Sequence, residues 1–203
     1  MNDKFFDLKK EKQDRMINAA LHVFAMQGYL HARTDQIVKE AGISKGLLFH
    51  YFETKLGVYT FVYEYSARYM ILELGSVSTV EHDLFEVLRQ IEQAHTRAMR
   101  EYPYMQQFLN RAMTENVSEA LLAAEGMRTQ LEQTYERIYQ RVDFNRLPTG
   151  VDGKKVLNMM KLTAEGLMSE RIYDASFQPD QLYQEICSYI ELMKKIVGDA
   201  PKQ

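Results

Sequence analysis

The stretch TDQIVKEAGISKGLLFHYFETK, from Thr34 to Lys55, decides how this chain is read. Three residues that favour helix starts, Thr34, Ser44 and Thr54, stand ten apart, each just ahead of apolar positions. That rhythm predicts two short helices followed by a long one, which is the pattern of a helix-turn-helix. Asp35 falls in a first turn, where the helix dipole favours an anion. Ile37, Val38 and Ala41 give the first short helix its buried face, and the small Ala41 permits a close crossing. Gly42 can take the left-handed backbone of a tight turn, and Ile43 plugs that turn into the core. In the helix opened by Ser44, Leu48 and Phe52 face inward at i, i+4, while Lys45, His50 and Tyr51 can point outward. Gly46, one turn in, lets the backbone approach a partner closely. A helix with bulk behind and donors and aromatics in front suits the major groove of DNA, where side chains near its start reach base edges.

Outward from this segment, periodicity predicts helix nearly everywhere. A first helix runs from Lys9 to Gln27 on Met16, Ile17, Ala20, Leu21 and Phe24, and Gly28 stops it. The helix opened by Thr54 continues to about Leu74. Further helices are expected over Thr79–Arg100, Tyr104–Glu115, Val117–Phe144, Lys154–Asp174 and Pro179–Val197, with a loop at Asn145–Gly153 that carries Pro148, Gly150 and Gly153. The leader before them is charged. Its Lys4, Lys9, Lys10 and Lys12 read either as solvated charges or as a basic arm trailing toward DNA.

Composition narrows the classes. Of 203 residues, 46% are hydrophobic and 26% charged, which fits a packed globular chain. The formal net charge is −3, yet residues 1–60 hold nine Lys and Arg against seven Asp and Glu. A mildly basic head on an acidic body fits a small DNA-contacting module. One cysteine, Cys187, rules out an intrachain disulfide or a cysteine metal cluster and fits a reducing compartment; the expected location is cytoplasmic. No run of about 18 apolar residues spans a membrane, and residues 1–12 lack the apolar core of a secretory signal. The five histidines are scattered. No nucleophile–base spacing, phosphate loop or paired metal-ligand motif is present, so an enzyme is not expected, nor a metal or cofactor.

The run Ala19–Ala20, Phe24, Gly28, Thr34, Ile37, Ala41–Gly42, Ser44–Lys45–Gly46, Tyr51–Phe52 and Thr54–Lys55 resembles the N-terminal signature of TetR-family regulators. The resemblance implies an all-α protein of about nine helices, with a DNA-binding domain at 1–53 and a regulatory and dimerisation body at 54–203. It implies a homodimer on a palindromic operator, probed by Thr34, Ser44, Lys45, Gly46, His50, Tyr51 and Lys55, and released when a small apolar or aromatic ligand enters the body. A same-fold protein governed by a protein partner, or acting architecturally, is the alternative. One departure follows Lys55: where such proteins often carry an acidic residue and then a bulky one, this chain has Leu56 and Gly57, and Gly57 reads as a soft joint between head and body.

In the last helix Leu182, Ile186, Tyr189, Met193 and Ile196 recur at heptad-like spacing, and the helix before it carries Met159 and the small Gly166. The two helices read as a dimer seam or as monomer core, and the resemblance favours the dimer. The body is rich in Met and Tyr. Tyr63, Met70, Met99, Tyr102, Met105, Phe108, Tyr135 and Met160 are the candidate pocket wall, since such side chains shape adaptable apolar sites; they equally suit a core. His95, Arg111 and Glu165 are candidate polar anchors.

Overall fold

A computed structural model describes residues 3–174 and 176–198; Met1 and Asn2 of the leader lie outside the described residues. Among the described residues the regular structure is helical throughout: α1 (Asp3–Phe6), α2 (Lys10–His31), α3 (Thr34–Ala41), α4 (Lys45–Phe52), α5 (Lys55–Leu74), α6 (Leu84–Glu101), α7 (Met105–Met113), α8 (Ser118–Tyr139), α9 (Gly153–Arg171) and α10 (Pro179–Gly198), with a 3-10 turn at Phe144–Arg146. The all-α expectation holds. The additional helix is α1, within the charged leader.

The chain forms two compact units. The first comprises Met1–Tyr69 and Glu101–Leu131, the second Met70–Arg100 and Glu132–Gln203. This division follows packing, whereas a boundary after residue 53 divides the chain by role.

In the first unit, α2 packs against α3 and α7. Phe24 and Tyr59 meet edge-on at 5.1 Å, and Tyr59 meets Phe108 at 5.5 Å. Gly28 breaks α2 as the sequence predicts: its φ is +69°, a conformation costly for any side chain. A Cβ there would also sit 2.9 Å from the Arg111 Nε. Arg111, an expected ligand anchor, is therefore packed against the broken end of α2.

In the second unit, α9 packs on α10. Arg171 grips Glu185 with two hydrogen bonds, of 3.0 and 2.8 Å, and Arg89 and Arg100 of α6 pair with Glu191 and Asp180 of α10. Helix α6 starts at Leu84 rather than near Thr79. Asp83 supplies the cap, its carboxylate accepting from the Glu86 N–H at 3.0 Å, while Glu81 takes the N–H groups of His82 and Asp83. Helix α8 ends at Tyr139 rather than Phe144, because the chain turns to pair Asp143 N–H with the His82 carbonyl at 2.9 Å.

The α4–α5 elbow overturns the reading of Gly57. Glu53 has φ +61° and ψ −48°, and Thr54 N–H reaches the Phe52 carbonyl at 2.6 Å. This is a tight γ-turn with strained positive φ at its centre. It drives the Phe52 carbonyl against α5, so that a Cβ at Gly57 would lie 1.9 Å from that oxygen. Gly57 is there because nothing larger fits, not because the joint needs softness. Gly57→Ala should therefore destabilise the fold by about 1–3 kcal/mol in urea unfolding, as overpacked sites do. Gly126→Ala, in α8 with open space around its would-be Cβ, should stabilise by roughly 0.5–1 kcal/mol.

Candidate nucleic-acid interface

The turn between α3 and α4 is built by backbone hydrogen bonding. Gly42 is left-handed, at φ 63° and ψ 42°. Its N–H bonds the Lys39 carbonyl at 3.3 Å, and Ile43 N–H bonds the Val38 carbonyl at 3.0 Å. These paired bonds satisfy the last carbonyls of α3 and aim the chain into α4. Ser44 then caps α4, its Oγ accepting from Leu47 N–H at 3.2 Å.

Leu48 and Phe52 are buried, which holds α4 from behind. The opposite side presents Lys45, Gly46 and His50, all exposed, with Tyr51 half-buried on the flank. The face so exposed is open at its centre, since nothing lies within 4 Å of where a Gly46 Cβ would be. Lys45 reaches across to Asp35 of α3 at 2.7 Å. Both side chains are mostly in water, where such a pair contributes about 0–1 kcal/mol, so exchanging Asp35 for a phosphate costs Lys45 little. Ser44, Lys45, Gly46, His50 and Tyr51 are thus brought together on one short helix.

Two expected contacts are placed differently. Arg33, not Thr34, takes the N-cap position of α3, with extended backbone and no side-chain cap; Thr34 is the first helical residue, half-buried. Arg33 is the residue that sequence reasoning missed: it is exposed at the start of α3, and its signal was only a lone basic residue before a predicted cap. Leu47 is half-exposed beside Gly46.

Lys55 is the second. Its ammonium donates to the carbonyls of Tyr29, Leu30 and Ala32, at 2.8, 3.3 and 3.4 Å, and lies 4.5 Å from the Tyr29 ring centre. These are carbonyls left over where α2 ends, and a cation there also meets the negative end of the helix. The same Tyr29 gives its N–H to Glu115 at 3.0 Å and its hydroxyl to Glu119 at 2.5 Å. Burial, followed by the Glu119 hydrogen bond, pushes the Tyr29 phenol above its ordinary range. Burial raises the Glu115 carboxyl, but hydrogen bonds from Tyr29, Val117 and Asn116 outweigh it and hold it below its ordinary value. Lys55 therefore closes a clamp on the end of α2 instead of standing toward solvent.

The candidate pocket residues divide between the units. Tyr63, Tyr102, Met105 and Phe108 are buried in the first, Met70, Met99 and Met160 in the second, with Tyr135 half-buried there by exposure. Tyr63 and Phe108 meet edge-on at 6.1 Å. The Tyr102 hydroxyl donates to Asp14 at 2.9 Å, accepts from Lys10 at 3.1 Å and shares a 2.6 Å bond with Tyr65; burial above all raises it far beyond the usual phenol range. Tyr135 bonds His95 Nε2 at 2.7 Å, and His95 Nδ1 lies 3.2 Å from Glu92. Glu165 is exposed. An open cleft of about 300 Å³, not foreseen from sequence, lies at the α9–α10 turn, where it is lined by Arg171, Asp174, Phe177 and Glu185 among others.

The seam expected at the dimer interface splits into two faces. Leu182 and Ile186 are buried within the second unit, so they are core rather than interface: heptad spacing serves either side of α10 equally. Tyr189 (41% exposed), Leu192 (53%) and Ile196 (58%) of α10, with Met159 (52%) and Leu162 (59%) of α9, stand outward. Met193 is half-exposed, and Gly166 is exposed with open space around it.

Comparison with known proteins bears on this helix-turn-helix first. Residues 16–59 match the family described as bacterial regulatory proteins, tetR family. Over this segment the chain carries a helix-turn-helix of the TetR type. An uncharacterised helix-turn-helix regulator of Pseudomonas putida, TtgW, is 45% identical over 49 residues, which is 24% of this chain and 37% of that relative; the chain thus spans little more than a third of it. The regulator AcrR of Shigella flexneri is 23% identical over 194 residues, covering 91% of this chain and 88% of AcrR. A TetR-family regulator structure from Chloroflexus aurantiacus shares the fold at a TM-score of 0.60 and 20% identity, covering 96% of this chain and 95% of that one. The family and these relatives are regulators, not enzymes. Among the described residues no three His, Cys, Asp or Glu side chains gather as a metal-binding group, and no helix is long and apolar enough to cross a membrane.

Lys55→Ala should lower stability by about 1–3 kcal/mol in thermal or urea unfolding, through orphaned carbonyls at the end of α2. The dependence of duplex affinity on salt should keep its slope; a slope shallower by about one unit would return Lys55 to a phosphate.

Proposed function

We propose that this chain is a homodimeric transcriptional repressor of the TetR type that reads a palindromic operator with α4 and is released by a small molecule held in its C-terminal body. The observation that carries the reading is the outward face of α4: Lys45, Gly46 and His50 exposed, Tyr51 on the flank, and Leu48 and Phe52 buried behind. Gly46 allows backbone-close approach, His50 and Tyr51 reach base edges, and Lys45, with Ser44, Thr34 and Arg33 beside it, meets phosphates. The exposed apolar residues of α9 and α10 support a two-fold pairing of subunits, which would set two heads one or more DNA turns apart. The Met- and Tyr-rich body supports a small apolar or aromatic ligand. Such a ligand would favour a dimer form whose heads no longer match groove spacing, which is a population shift. A cytoplasmic location follows from this role.

Selection of duplexes from a random pool by the full-length protein, followed by binding at several salt concentrations, tests the reading. A palindromic preference is expected; uniform, steeply salt-dependent binding to every sequence would contradict it. Gly46→Ala separates fold from function. It should leave stability unchanged or raise it by up to about 1 kcal/mol, while weakening binding to the selected duplex. Tyr51→Ala should cost about 1–3 kcal/mol of that binding with the fold intact. Leu192→Asp with Ile196→Asp should yield a monomer in sedimentation.

A further inference from the structure

Helix α1 lies outside the matched residues 16–59, and at four residues it is far too short to persist alone. It is held in two ways. The Gln13 amide, nearly buried at the start of α2, donates to the carbonyls of Phe6 and Leu8 at 3.0 and 2.7 Å. Phe5 is 0% exposed. Its ring centre lies 4.8 Å from that of Phe61, 5.3 Å from that of Phe52 and 5.8 Å from that of Tyr51, the last meeting edge-on at 83°. One buried ring from the leader thus touches both the brace of α4 and the aromatic on its flank.

That contact has a consequence for a half-exposed tyrosine. On a bare helix surface the Tyr51 ring would sample alternative staggered rotamers, and fixing it on binding would cost affinity. An edge-to-face partner on a buried ring selects one of them in advance. We propose that Phe5 is a positioning residue for DNA reading: it holds the Tyr51 ring in the orientation that meets the duplex, and so makes the N-terminal segment a working part of the DNA-binding face. The proposal rests on α4 being the DNA-reading helix.

The test uses the full-length chain and two probes, the duplex selected by the wild-type protein and a scrambled duplex of equal length. Phe5→Ala should weaken binding to the selected duplex about tenfold, near 1.4 kcal/mol, and change binding to the scrambled duplex less than twofold. Circular dichroism should show the variant folded at the assay temperature. Phe5→Leu, which keeps the apolar volume but removes the ring edge, should lose about threefold on the selected duplex alone. In a Tyr51→Ala background both substitutions should add less than twofold, because their effect passes through Tyr51. Equal losses on both duplexes, or full additivity with Tyr51→Ala, would overturn the proposal and leave Phe5 a core residue only. Should Phe5→Ala not fold, the Phe5→Leu cycle decides by the same criterion. A wild-type chain that selects no duplex would instead defeat the underlying reading of α4, a different and separately visible failure.

Discussion

Burial of Leu48 and Phe52 is the constraint on which the proposed DNA-facing side of this protein depends. An eight-residue helix has little stability of its own, so α4 keeps its place only because its apolar side is buried. Phe52 packs on Phe61 at 4.9 Å and on Phe5 at 5.3 Å. With that side fixed, the helical period leaves Gly46 and His50 no place but the outside. The interface is in this sense a by-product of the core: what reads DNA in this account is the part of α4 that the core does not take.

The same economy shapes both ends of α4. Before it, Gly42 and Ile43 close α3 through backbone bonds alone, and Ser44 starts the next helix without waste. After it, the strained turn at Glu53 pushes the Phe52 carbonyl into α5, where only glycine at 57 leaves room. Lys55 then turns back to the end of α2, which Glu115 and Glu119 hold from the other side through Tyr29. The end of α2 is therefore fixed by charges donated from residues 26 and 86 or more positions away in the chain. The α7–α8 corner lies in the same compact unit as the helix-turn-helix.

What the sequence revealed and what it hid follow from the range of the forces involved. Caps, turns and periodic burial are local, so Ser44, Gly42, Gly28, Leu48 and Phe52 were legible directly. Thr34 was misplaced by one residue because a β-hydroxyl favours a cap without guaranteeing one. Lys55 misled because a lysine side chain is long enough to reach either a phosphate or the carbonyls of a distant helix end. Leu182 and Ile186 were assigned outward because a heptad pattern says which residues share a side, not which side faces in. Phe5 was hidden by its setting: a phenylalanine among lysines and aspartates reads as leader until its partners at 51, 52 and 61 are known.

The most direct measurement of the central claim is photocrosslinking from position 50. A photoreactive residue in place of His50, in the full-length protein mixed with its selected duplex, should crosslink to bases near the centre of each half-site. The same residue in place of the exposed Glu165 should not. Crosslinking from 165 but not from 50 would mean that α4 does not face DNA.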